Sequence, residues 1–219
     1  MIKEIFVLVI CGITEFKECG AIETAKNIKN IIFQKCKDTA CKLVYKELLG
    51  TNANQRNVET YLNEAAQYLI YPNRKAIIFY NGHGDQKPDL NKDENDGKDE
   101  FWRLMGGGVI LDDDLSLFFN KIHDKSFLFL ISDCCSSGTM LDIKLNNRPW
   151  ICLSSCNDNE DSLASSAGGI FTIFGLLPAI SKYNNLADIC DYIKQNINIQ
   201  TQNYYIQVTR EYLWTVDIF

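Results

Sequence analysis

Two short stretches carry side chains able to do bond-breaking chemistry. "FYNGHGDQ" (Phe79–Gln86) holds His83, one of only two histidines in the chain, between Gly82 and Gly84. "LISDCCSSGT" (Leu130–Thr139) has the same layout, an apolar run closed by a polar cluster, with Cys134 and Cys135 in place of the histidine. A cysteine attacks as its thiolate, and an unperturbed thiol titrates near pH ~8.5, so it needs a base or a positive neighbour. An imidazole within hydrogen-bond reach would hold that proton and later give it to a leaving amine. Glycines at 82, 84 and 138 would let backbone approach a substrate closely and leave N–H groups to hold an oxyanion. The other histidine, His123 in "NKIHDKS", falls at a helix end and reads as surface.

The elements that would position these residues are legible as alternating patterns. Short apolar runs predict strands at Ile5–Cys11, Lys42–Lys46, Lys75–Tyr80, Ser126–Ile131 and Trp150–Ser154, with a further one at Tyr204–Val208. They are continuous rather than alternating, as in strands covered on both faces. Between them, apolar residues recur at three and four in Ala21–Lys35, Gln55–Tyr71, Asp112–Ile122, Ile170–Ser181 and Leu186–Ile197, and acidic Asp112–Asp114 suits a helix N-terminus. This is an α/β pattern with a central, mainly parallel sheet flanked by helices. Ligands bind such sheets at the carboxyl ends of the strands. A helix over Asp112–Ile122 would make the two strands neighbours, so that His83 and Cys135 open on the same edge. No repeat or long linker divides the chain, and 1–219 reads as a single domain. Two compositional breaks follow strands: an acidic polar loop over Asp85–Lys98 and a second, smaller one over Asn157–Gly169.

Bulk properties narrow the class. A net charge of -6 and a pI near 5.0, with no basic run bearing interleaved aromatics, exclude a dedicated nucleic-acid binder. Nothing approaches the ~18 apolar residues of a membrane span, and "MIKEIFVLVICGITEF" lacks a cleavage site and reads as a buried strand. Nine cysteines is an odd number and no Asn-x-Ser/Thr sequon occurs, which predicts reduced thiols in a cytoplasmic, reducing compartment. Cys36/Cys41 and Cys152/Cys156 have no histidine beside them and give no zinc site; buried small hydrophobes are the expected role.

His83 precedes Cys135 by 52 residues, close to the ~50 of a caspase-type dyad, although Cys135 is followed by Ser-Ser-Gly rather than by one residue and glycine. "YNGHG" and "DCCSSGT" instead resemble the metacaspase pattern Tyr-Ser-Gly-His-Gly with Asp-x-Cys-x-Ser-Gly. The resemblance continues through "PDLNKDENDGKDE", "ILDDDL", "SGTMLD", "LSSCNDNEDSLAS" and "GGIFT", covering about Lys75 to Thr172. It implies a caspase-like (caspase/hemoglobinase) fold, His83 as general base, Cys135 as nucleophile with Cys134 turned to the core, and an oxyanion held by N–H groups near Gly84 and Cys135. It further implies cleavage of polypeptides after Arg or Lys. Asp133, two residues before the nucleophile, suits that role because a carboxylate receives a cationic side chain by charge-assisted hydrogen bonds. "ECGAIETAKNI" resembles the family's Cys-x-Asn-Asp-Ala stretch shifted by one residue, which gives Glu23 the part of a second pocket acid. Asn81 stands for the family's usual serine and Ser136 for a common histidine, both expected at the rim of the site.

Asp89, Asp93, Glu94, Asp96, Asp99 and Glu100 crowd twelve residues. An EF-hand fails, because Gly97 at its sixth position would put Lys92 first and Arg103 twelfth. By the resemblance, Ca²⁺ is the expected activator, held by Asp99, Asp112, Asp113 and Asp142; four hard oxygen donors from three loops suit it better than Zn²⁺ or Mg²⁺. The family also implies a monomer. The expected function is a calcium-stimulated cysteine endopeptidase working through a His83/Cys135 dyad. The competing readings are a catalytically silent caspase-like interaction module and a metal-independent paracaspase-type peptidase.

Overall fold

The computed structural model describes residues 4–12, 20–92, 94, 96–140, 148–165, 168–197, 205–208 and 211–219. Its elements run β1 (Glu4–Cys11), α1 (Ala21–Asp38), β2 (Lys42–Leu49), α2 (Gln55–Leu69), β3 (Lys75–Asn81), β4 (His83–Pro88), β5 (Lys98–Arg103), β6 (Val109–Leu111), α3 (Asp112–Phe119), β7 (Phe127–Asp133), β8 (Trp150–Ser154), β9 (Ala164–Ser165), β10 (Gly168–Gly169), α4 (Leu177–Lys182), α5 (Leu186–Asn196) and β11 (Tyr205–Val208).

The apolar runs form one six-stranded sheet in the order β11-β8-β7-β3-β1-β2. Every pairing is parallel except that of β11 with β8. Alternate side chains of the central strands feed two cores. Ile5, Val7, Val9, Ile77 and Phe79 pack with α1, α4 and α5. Phe6, Leu8, Ile10, Ala76 and Ile78 pack with α2 and α3. Helices therefore cover both faces, which is why β1 and β3 are almost wholly buried.

Local sequence sets the helix starts. Asn54 accepts a hydrogen bond from Asn57 N (3.1 Å) at the head of α2, and Asn185 one from Asp188 N (2.9 Å) at α5. Asp114 reaches back to Leu111 N (3.1 Å) at α3. Each satisfies a backbone donor that the first turn leaves open.

Three expectations need correction. The polar loop expected over Asp85–Lys98 is shorter than its bounds: Asp85–Pro88 belong to β4 and Lys98 opens β5, and with β6 these strands make a separate antiparallel sheet. The apolar-run criterion missed β4 because "HGDQKP" offers no apolar face, and its pairing is made by backbone groups. The helix expected over Asp112–Ile122 ends at Phe119. The helix expected over Ile170–Ser181 is divided, with a π-helical segment over Phe171–Leu176 running into α4; π-turns inside helices often sit at functional sites.

Candidate active site

The site is built where β3 and β7 end side by side. Their register closes with Asn81 opposite Asp133. His83 lies two residues beyond the first and Cys135 two residues beyond the second, so equal steps past paired positions bring both into one cavity of about 210 Å³. Asp133, Ser162 and Gly169 also line it. His83 is exposed and Cys135 half-buried. His123 lies before β7, at the opposite, amino end of that strand.

Two glycines make this corner possible. At Gly82 the chain leaves the main sheet, and its N–H reaches Asp133 O at 3.4 Å. A Cβ there would stand 2.3 Å from the Tyr80 hydroxyl. That hydroxyl lies 2.8 Å from both His83 O and Arg103 O, while the Tyr80 ring stacks on Trp102 at 4.5 Å. Trp102 Nε1 donates to Ser132 Oγ (2.9 Å) on β7. A Cβ at Gly84 would stand 2.0 Å from Cys135 O and 2.7 Å from Cys134 Sγ, so the strand carrying the imidazole lies directly against the thiol-bearing segment.

The two adjacent cysteines differ in setting. Cys134 is buried in the core, its sulfur 3.3 Å from Ser132 Oγ, and burial drives its thiol well above the ordinary value. Cys135 faces the cavity. Burial is the main influence raising its thiol; the Ser162 N–H lowers it, and the Asp161 carboxylate adds to the rise. Ser136, next in line, adopts a left-handed φ of 47°, and its N–H donates to Glu160 O at 3.0 Å.

Asp133 is 3 % exposed. It accepts hydrogen bonds from Ser162 Oγ (3.1 Å) and from Thr172 Oγ1, on the π-helical segment, with further support from Ser155 and Asn81. Burial raises its carboxyl above the ordinary range and these donors pull it part of the way back. A Cβ at Gly169 would come within 2.1 Å of Asp133 Oδ2, so only glycine there leaves that oxygen open to the cavity. Asn81, expected at the rim of the site, lines the cavity and is 4 % exposed, beside Asp133.

Glu23 is also corrected. It is exposed on α1 and pairs with Lys26 at 3.4 Å. The inward positions of that helix are Ala21, Thr24, Ala25, Ile28 and Ile32. Thr24, fully buried, is the polar residue that this face turns towards β10: a Cβ at Gly168 would meet Thr24 Oγ1 at 1.9 Å. Ser162 and Thr172, the hydroxyl partners of Asp133, lie in the stretches "LSSCNDNEDSLAS" and "GGIFT" that carry the resemblance, but no role was expected of either hydroxyl, since residue order alone does not pair it with a carboxylate.

The acids expected to hold calcium lie on the second sheet and α3. Asp99 is 5 % exposed, with Lys87 Nζ at 3.8 Å. Asp112 is 2 % exposed and accepts from Glu100 N (3.2 Å) and Asp113 N (2.7 Å). Burial first, and then the nearby Glu100 and Asp99 charges, push its carboxyl up to about 8. Asp113 accepts from Asn91 Nδ2 at 2.7 Å. Asp142 lies outside the described residues. Buried Glu100, which receives hydrogen bonds from Thr139 and Gln86, is an acid of this neighbourhood outside the expected calcium set. Among the described residues no group of three or more His, Cys, Asp or Glu stands ready-made to hold a metal ion. The donor set nevertheless fits a hard cation, because it holds buried carboxylates whose mutual repulsion a cation would relieve. None of the eight described cysteines is in a disulfide, and six of them are buried. No helix among the described residues is long and apolar enough to cross a membrane.

A parallel α/β sheet that opens a thiol and an imidazole into one cavity from neighbouring strand ends belongs to the class of caspase-like folds. The family profile for the metacaspase peptidase C14 domain matches residues 8–144, and the chain belongs to that family of cysteine-type peptidases. It is similar to metacaspase-1 of Yarrowia lipolytica, 30% identical over 75% of this chain and 35% of the relative. It is also similar to metacaspase-1A of Aspergillus oryzae, 35% identical over 75% and 38%, and to metacaspase-3 of Arabidopsis thaliana, 27% identical over 66% and 41%. The chain thus spans less than half the length of these relatives. Among solved structures it resembles protein GSU0716 from Geobacter sulfurreducens, with a TM-score of 0.71, 20% identity and 95% of each chain covered, a likeness of fold.

Proposed function

We propose that this chain is a cysteine endopeptidase that cuts polypeptides after Arg or Lys and is stimulated by Ca²⁺. The observation that carries the reading is the shared cavity, with Cys135 and His83 on its walls and the buried carboxylate of Asp133 beside them. In this mechanism His83 takes the thiol proton as Cys135 Sγ attacks the carbonyl carbon. Backbone N–H groups near Gly84 and Cys135 hold the oxyanion. The imidazolium then gives its proton to the leaving amine, and water attacks the acyl-enzyme with His83 again acting as base. Asp133 supports basic specificity because its hydrogen bonds come from neutral hydroxyl and amide groups. A guanidinium or ammonium entering past Gly169 would be the charge it lacks, and would favour its ionised form.

Asp99, Asp112 and Asp113, with Asp142, would hold the calcium ion, which supplies positive charge to a cluster of acids. No step of peptide cleavage passes through it. A single polypeptide in a reducing compartment is consistent with this reading.

Hydrolysis of short fluorogenic peptides ending in Arg, Lys, Asp or Leu, across a calcium titration, tests the proposal. Cleavage of the Arg and Lys peptides alone, rising with calcium and abolished in Cys135→Ala, is expected. Activity that survives Cys135→Ala would assign the wrong nucleophile, and a rate indifferent to calcium would remove the metal. No cleavage of any peptide would favour the interaction module.

A further inference from the structure

The chain turns from β3 into β4 around a single phenol. Tyr80 is fully buried, and its hydroxyl lies 2.8 Å from the carbonyl of His83 and 2.8 Å from that of Arg103. Those two residues are the first pair of the β4–β5 ladder. Backbone closes in on the same oxygen: a Cβ would stand 2.3 Å from it at Gly82 and 3.4 Å from it at Gly12. Burial holds the phenol well above its ordinary titration range, so the hydroxyl keeps its hydrogen, and both carbonyls draw on it. The ring is held in turn. It stacks on Trp102 almost face to face, at 4.5 Å and 9°, and Trp102 Nε1 donates to Ser132 Oγ (2.9 Å) on the strand that leads to Cys135. One bracket thus runs from the main chain of the base, through two aromatic rings, to the strand that carries the thiol.

His83 stands between Gly82 and Gly84, residues that impose little on the path of the chain, and its ring is exposed. Where the imidazole stands therefore depends on what fastens its main chain. A proton passes to a base only across a hydrogen bond's length, and a misplacement of about 1 Å can cost a hundred-fold in rate. We infer that Tyr80 is a positioning residue: its hydroxyl ties the first pair of the β4–β5 ladder to the main sheet and so helps place the His83 imidazole against the Cys135 thiol, a reading that rests on the dyad proposed above. Tyr80 is not among the residues lining the cavity, so its loss should fall on proton transfer and leave substrate binding as it was.

Tyr80→Phe keeps the ring and its stacking and removes the donor. On Arg and Lys peptides it is expected to lower kcat about ten-fold, with KM near that of the parent. The second readout is alkylation of Cys135 by iodoacetamide at pH 7 on the full chain, read by mass spectrometry of the peptide that carries it. It reports the thiolate and needs no peptidase turnover. His83→Ala is expected to slow alkylation, and Tyr80→Phe to slow it about three- to ten-fold. The double variant should match His83→Ala alone, because a tie that acts through the imidazole then has nothing left to place. 4-Aminophenylalanine at position 80, which restores an N–H donor, should return both readouts towards the parent. Thermal unfolding of each variant checks that the fold is kept, and Tyr80→Met, also without a donor, serves if the phenylalanine variant does not fold. Alkylation slowed by His83→Ala but unmoved by Tyr80→Phe sinks the role of Tyr80 alone. A double variant slower than His83→Ala would show a general loosening and overturn that role as well. Alkylation indifferent to His83→Ala removes the dyad, and the role of Tyr80 with it.

Discussion

Asp133 and Asp112 are both acids at the end of an element, 3 % and 2 % exposed, and burial raises both carboxyls. Their neighbours differ. Asp133 is held by hydroxyl and amide donors and faces a cavity that Gly169 keeps open. Asp112 is held by two backbone N–H groups and shares its surroundings with Glu100 and Asp99. A lone acid among neutral donors suits a positive group that arrives and leaves with the substrate. An acid among acids suits a cation that stays. Burial alone distinguishes neither; the company each carboxylate keeps does.

The sharpest way to break this comparison is Asp133→Asn. Losing the charge at a buried pairing site should reduce kcat/KM on Arg and Lys peptides by about a hundred-fold or more, while calorimetric calcium binding stays as in the parent. A loss of calcium binding instead would merge the two sites. Next comes Asp112→Asn, which should weaken calcium binding by about ten-fold, since ligand charge tunes such sites, and flatten the calcium response of the peptidase while leaving the calcium-free rate near that of the parent. The smallest effect is on stability. The Asp133 carboxyl titrates above its ordinary value of 3.8 in the folded chain, so the folded state holds its proton over a range where the unfolded state has lost it. Stability therefore falls as pH rises above about 4 through the raised value. Differential scanning calorimetry should show the parent gaining a few degrees of Tm relative to Asp133→Asn as pH is lowered from 7 towards the ordinary carboxylate range; parallel curves throughout would mean that the Asp133 carboxyl is not raised.

The same contrast explains what the sequence could say. The main sheet was legible because its central strands β1, β3, β7 and β8 are apolar and buried on both faces, and the placement of His83 and Cys135 followed from parallel β3 and β7 being neighbours. The second sheet was hidden because β5 ("KDEFWR") buries Asp99 and Glu100 along with Trp102, so polarity there marks a site rather than solvent. Glu23 was a local misreading that helical period alone could have prevented. Ala21, Thr24, Ala25 and Ile28 lie on one face, and Glu23 falls about 100° from Thr24 around the helix. Ser162 and Thr172 reach Asp133 from the loop after β8 and from the π-helical segment; both fall in stretches that carry the resemblance, but residue order does not say which hydroxyl meets which carboxylate.

Gly82 lets one continuous strand leave the main sheet and, from His83 onward, join another. The imidazole thus rides at the first rung of a ribbon whose later rungs pair Gln86 with Glu100 and Lys87 with Asp99. A tilt of that ribbon about its glycine pivot would move the base relative to a sulfur anchored on the other sheet. The separation on which proton exchange depends is in this sense a mechanical coordinate, set by how firmly the acidic end of the ribbon is moored.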